Sequence, residues 1–106
     1  MKITTLVPLQ FNDRRPVPEE QVRQIIEDLV KQFGACTAEG SVTGHRPEPD
    51  NPGIAHENFL KLSIEMDRQR LDEARAAILQ IGRILAQREM YFEVREYDGV
   101  QIIQVD

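Results

Sequence analysis

The sequence predicts an α+β domain with ferredoxin-like βαββαβ topology: a two-layer sandwich with an antiparallel sheet, two helices on one face and an extra C-terminal β-hairpin strand. Three observations predict it. Residues 18–34, PEEQVRQIIEDLVKQFG, carry Val22, Ile25, Ile26, Leu29, Val30 and Phe33 at three- and four-residue steps, the spacing of one helix face. A second such stretch follows residue 67, with Leu71, Ala74, Ile78, Ile81 and Leu85 on its inner face. Around and between them lie segments that alternate apolar and polar residues with the two-residue period of strands. At 106 residues the chain is one domain, residues 1–106, long enough to bury a sheet-and-helix core without a disulfide or metal.

The first strand is expected over residues 2–11, with Ile3, Thr5, Val7, Leu9 and Phe11 on one side. Pro8 lacks a backbone donor, so the strand is irregular there or ends soon after. Residues 12–16, Asn-Asp-Arg-Arg-Pro, form a loop. Pro18 suits the first turn of the first helix, and Glu19 and Glu20 sit where the helix dipole favours negative charge. Gly34 stops that helix.

Residues 36–43 alternate again, with Cys36, Ala38, Gly40 and Val42 assigned to one face. Residues 44–58, GHRPEPDNPGIAHEN, hold three prolines and two glycines and are expected to form a long irregular hairpin connection. Residues 59–66 return as a strand with Leu60, Leu62, Ile64 and Met66 inward. Asp67 is the expected cap of the second helix, which runs to about Gln87. Gly82 on that helix allows a close approach. Residues 90–94 alternate as a strand, Asp98-Gly99 is a two-residue hairpin signal, and residues 100–105 supply a last strand. With right-handed crossovers these elements form one antiparallel sheet under two helices. The opposite sheet face then carries Thr4, Leu6, Thr37, Glu39, Phe59, Lys61, Ser63, Tyr91 and Glu93. Its apolar members predict a homodimer.

The formal net charge is −5, which argues against broad binding of nucleic-acid phosphates. The single cysteine, Cys36, cannot close an internal disulfide and falls at an inward position of its strand, so it is assigned to the core. No apolar run is long enough to span a membrane and no export signal is evident, so a cytoplasmic location without membrane partners is expected.

The order of features from Phe33 to Val94 resembles a small bacterial α+β family of unknown function. The resemblance rests on Phe33, Gly34, Thr37 and Gly40 as an aromatic-Gly turn and strand, on Glu57 before an apolar strand, and on Gln87 and Glu89 before the last strand. The chain departs from that pattern at His45, where the family has Trp. The resemblance implies the ferredoxin-like fold and no activity.

Two groups of residues are candidates for chemistry. His45 and His56 bracket the long hairpin, with Glu57 adjacent; if the flanking strands pair in register, the imidazoles come close and, with a carboxylate, suit a divalent metal or acid–base work. Their spacing matches no zinc pattern, so no metal and no cofactor are assigned. Asn12, Asp13, Arg14 and Arg15, before the first helix, and Arg46, in the hairpin, are the candidates for holding a small anionic ligand. The first functional reading is a dimeric ligand- or protein-binding module. The second is a small enzyme of monooxygenase or isomerase type, with His45 or His56 as acid or base and Glu57 orienting it. The third, a nucleic-acid enzyme or regulator, needs Arg14, Arg15 and Arg46 to cluster.

Overall fold

The computed structural model describes residues 1–48, 50, 52–96 and 103–105. Strand β1 (Lys2–Pro8) leads to helix α1 (Glu19–Phe33), strands β2 (Thr37–Pro47) and β3 (Ile54–Glu65), helix α2 (Leu71–Ile84) and strand β4 (Glu93–Arg95). The sheet is antiparallel in the order β2-β3-β1-β4, the ferredoxin-like arrangement. The expected hairpin at Asp98-Gly99, with Val100 and Ile102, lies outside the described residues. Ile103 to Val105 are described, are exposed and are not in a strand.

The core lies between the helices and one sheet face. Val7, Leu62 and Ile64 from the sheet meet Ile25 and Leu29 of α1 and Ile78, Ile81 and Leu85 near the end of α2. Burying each such side chain stabilises the fold by about 1.5–3 kcal/mol. Cys36 is half-buried against this cluster, and burial pushes its thiol pKa up, so it stays protonated at neutral pH. Val30, expected on the α1 stripe, is exposed instead.

Helix α1 ends as its sequence predicts. Gly34 takes φ 92° and its N–H donates to the Val30 carbonyl at 2.8 Å. Helix α2 begins differently from expectation. A 3-10 turn, Arg68–Arg70, precedes it, and Asp67 makes no side-chain capping bond. It also ends sooner, at Ile84, where Ala86 adopts φ 55° and the Gln87 N–H donates back to the Gly82 carbonyl at 2.8 Å. Gly82 is buried, and a Cβ there would meet Met90 Cγ at 2.7 Å.

Strand β2 corrects two expectations. The 44–58 stretch is mostly ladder: pairing continues through Gly44↔Glu57, His45↔His56, Arg46↔Ala55 and Pro47↔Ile54. A bulge between Ala38 and Gly40 also shifts the phase, because Ala38 pairs with Leu62 while Gly40 pairs with Lys61. Gly40 and Val42 therefore lie on the face opposite Ala38. Val42 joins Phe59, its register partner, on the helix-free face. On that face Glu39 binds Lys2 at 2.8 Å and Lys61 at 3.5 Å, tying three strands together, and Thr4 and Ser63, which the register places on the same face, are buried rather than exposed. The doubly extended β2–β3 hairpin contributes to an elongated molecule of 56 × 29 × 27 Å.

Among the described residues, no helix is long and apolar enough to cross a membrane.

Candidate functional site

The site forms where β4 leaves β1. Strand β4 pairs only with Lys2, Ile3 and Thr4. One residue further on, the Thr5 hydroxyl donates to the Tyr91 carbonyl at 2.7 Å in place of a ladder bond. Beyond that the sheet opens. Pro8 fits this position. The Leu9 N–H points to β3, donating to the Asn58 carbonyl at 2.9 Å, so the donor Pro8 lacks would have faced the side β4 has vacated.

The opening is a cavity of about 850 Å³. Leu6, Pro8, Gln10, Phe11, Asn12 and Arg14 line it from β1 and the loop that follows. Arg46, Glu48, Ala55, His56, Glu57, Asn58 and Phe59 line it from the β2–β3 hairpin. Gln87, Arg88, Glu89, Met90 and Tyr91 complete it from the segment after α2. Three arginines and three glutamates thus converge on one space. A second groove, of about 320 Å³, lies between β1 and α1 and is mainly apolar, with Leu9, Val17, Val22 and Ile26 in its wall.

The loop after β1 is closed by its own backbone. Gln10 bridges Pro16, the Phe11 N–H donates to Arg15 at 2.8 Å, and the Arg14 N–H donates to Phe11 at 2.9 Å. Arg14 takes φ 69°, the left-handed region that a side chain such as its own rarely adopts. Asn12 clasps this loop to the end of α2: its side-chain amide donates to the Ala86 carbonyl at 2.9 Å, and Gln87 donates to its side-chain oxygen at 3.3 Å. Among the described residues, the two non-glycine residues with positive φ, Arg14 and Ala86, thus sit in the two loops that Asn12 joins.

The structure divides the anion-site candidates. Asp13 accepts the Arg15 N–H at 3.0 Å and pairs with its guanidinium at 2.6 Å, which holds the Asp13 carboxyl below its ordinary pKa. Both are exposed and neither lines the cavity. They close the turn instead. Asn12, Arg14 and Arg46 do line it. Arg14 reaches Glu48 at 3.4 Å, and Arg46 pairs with Glu57 at 2.5 Å. Arg88 and Glu89 have no ion-pair partner among the described residues.

The histidines do come together. They are direct register partners with ring centroids 4.7 Å apart and planes at 85°. Glu57 does not orient either of them. Successive strand residues point to opposite faces, so His56 meets His45 while Glu57 meets Arg46. Only His56 of the pair lines the cavity. Among the described residues, no group of three His, Cys, Asp or Glu side chains gathers to hold a metal.

Sequence reasoning had not assembled Glu89, Arg88 and Tyr91 with the hairpin. Their distance along the chain from residues 46–59 conceals the contact, and the only local signal was the polar run Gln87-Arg88-Glu89 ahead of a strand.

No family model matches the sequence, and no curated protein does. Solved structures do. A phage SAM lyase in complex with S-methyl-5'-thioadenosine superposes with a TM-score of 0.57 at 13% identity, covering 92% of each chain. A phage SAM lyase in its apo state gives 0.53 at 12%, covering 92% of this chain and 91% of that one. At such identities the likeness shows a shared small α+β fold running nearly the whole length of both chains.

Proposed function

We propose that the chain is a small enzyme whose active site is the mixed-charge cavity at the neck of the β2–β3 hairpin, and that its ligand is an adenosine thioether or the sulfonium compound that yields one. The observation that supports it most is convergence. Glu57, Glu89, Tyr91 and Arg88 come from segments far apart in sequence and line one cavity large enough for a small molecule. The shared fold with SAM lyase gives the ligand class its direction.

The cavity suits that chemistry. A sulfonium carries positive charge, and Glu48, Glu57 and Glu89 supply a negative wall for it. Phe11, Phe59 and Tyr91 offer ring faces for a purine or for the cation itself. Arg88, unpaired among the described residues, is available for a carboxylate. When a carbon–sulfur bond of a sulfonium breaks, its electron pair goes to sulfur and cancels the charge, while the carbon takes a new bond from an oxygen nucleophile, such as the substrate's own carboxylate or water, or sheds a neighbouring proton to a base. Such a site has to hold and orient a cation, and no acid is needed for the leaving group.

Isothermal titration with S-methyl-5'-thioadenosine, and chromatographic assay of S-adenosylmethionine (SAM) consumption, test the proposal together. Binding with turnover supports it. Binding without turnover returns the protein to the first reading, a ligand-binding module. Neither binding nor turnover sinks it. A homodimer through the helix-free face belongs to the same proposal, because Val42 and Tyr91 are exposed beside half-buried Leu6 and Phe59; since Leu6, Phe59 and Tyr91 also line the cavity, the dimer seam would border the ligand site. Light scattering that returns a monomer mass would remove that part.

A further inference from the structure

Two imidazoles placed directly opposite each other on paired strands form a two-point chelate. His45 and His56 meet this description: register partners, both exposed, with ring centroids 4.7 Å apart. The scaffold beneath them is held on both sides. The next pair on the same face, Thr43 and Asn58, is joined by a side-chain hydrogen bond of 3.1 Å. On the other side Pro47 pairs with Ile54, and the Glu48 N–H donates to the Gly53 carbonyl at 3.1 Å.

We propose that His45 and His56 form a binding site for a late first-row divalent cation such as zinc or nickel, with water filling the remaining positions. Neutral imidazole nitrogen is a favoured donor for these ions, with metal–nitrogen bonds of about 2.0–2.1 Å. One ion held by two such bonds needs ring nitrogens roughly 3 Å apart. Reaching that separation requires the two rings to rotate from their edge-to-face contact.

Among the described residues, no third His, Cys, Asp or Glu side chain joins the pair to make a closed site. Glu57 and Arg46 project from the opposite face and bind each other. With only two protein ligands the site is open and exchangeable, unlike a four-ligand structural zinc site. An ion there staples β2 to β3 at the neck of the hairpin. Because His56 also lines the cavity, it sets one wall of the ligand site as it does so.

Nickel chloride added in stoichiometric excess to the ¹⁵N-labelled protein tests this by paramagnetic broadening of amide signals. Broadening centred on residues 43–47 and 54–58, reversed by zinc, is the expected result. His45→Ala and His56→Ala should each abolish it, while Cys36→Ser should retain it. Amide dispersion in the same spectra shows whether each variant is folded. Absence of broadening in the wild-type protein, broadening centred on Cys36 or the N-terminus, or broadening unchanged in either histidine variant overturns the proposal. His45 lies outside the cavity lining, so its variant leaves the ligand titration intact and the two proposals fail separately.

Discussion

The two halves of β3 are one strand built to two different rules. From Leu60 to Ile64 it alternates large aliphatic residues inward, and Leu62 and Ile64 are buried beneath the helices. From Ile54 to Glu57 the same strand has left the helices behind. There Ile54 is exposed, His56 faces His45, and Glu57 faces Arg46. The first half is held by burial and the second by its ladder and by polar pairs across it. Where a strand is released from the core, its side chains are free to be chosen for chemistry, and the cavity forms on that released half.

The widest gap between the halves is in stability. Leu62→Ala should lose about 2–5 kcal/mol, since it removes a buried side chain and leaves a cavity. Ile54→Ala should stay within about 0.5 kcal/mol. Urea unfolding of both checks this, and equal losses would break the contrast. Function should divide the other way. Glu57→Gln is expected to lower SAM turnover by about 10²-fold or more, because its charge faces the sulfonium, and to change binding of the uncharged thioadenosine far less, while costing at most about 1 kcal/mol of stability because its ion pair with Arg46 is exposed. Turnover, titration and unfolding of that one variant read all three.

A third test site is Gly82 of α2, which packs against Met90. Gly82→Ala gains about 1 kcal/mol of helix propensity but drives a Cβ into Met90, so a net loss of about 1 kcal/mol is expected. Since Met90 lines the cavity, ligand affinity should weaken with it. Ala86→Gly should move stability the other way, by about 0.5–1 kcal/mol, because glycine adopts the left-handed backbone there without strain. Thermal melts of both variants give the signs.

The smallest effect concerns pH. Lys2 and then Lys61 hold the Glu39 carboxyl below its ordinary value. A carboxyl depressed in the folded state contributes stability above its unfolded pKa, and that contribution is lost as pH falls through the folded pKa. Glu39→Gln should therefore lower stability slightly at neutral pH, leave it unchanged below the folded pKa, and so flatten the acid limb of the profile. An unaltered acid limb would remove the network from the account.

What the sequence made legible follows from these rules. Leu60, Leu62 and Ile64 announced a half-buried strand, and Gly34 announced a helix end, because period and left-handed glycine are local signals. The topology followed from their order. The hairpin was less visible. Pro47, Pro52 and Gly53 are turn formers, yet the ladder runs up to Pro47 and Ile54 because an edge strand tolerates proline where no donor is required. The end of α2 was misplaced because Ala86 gives no glycine-like warning of its left-handed turn. The site was legible only in pieces. His56, Glu57, Asn12, Arg14 and Arg46 were singled out, but the Asn12 clasp joins residues 74 positions apart, and no local pattern reports such a contact.

The bulge at Glu39 has a consequence for how this chain can change. The phase of Thr37 and Ala38 is set by where α1 ends, whereas the phase of Val42 to Arg46 is set by the hairpin turn. The bulge is the slip joint between the two. An insertion or deletion of one residue in the connection from α1 can be taken up there without turning His45, Arg46 or their partners to the wrong face. The working end of the hairpin is thereby insulated from length variation in the body of the domain.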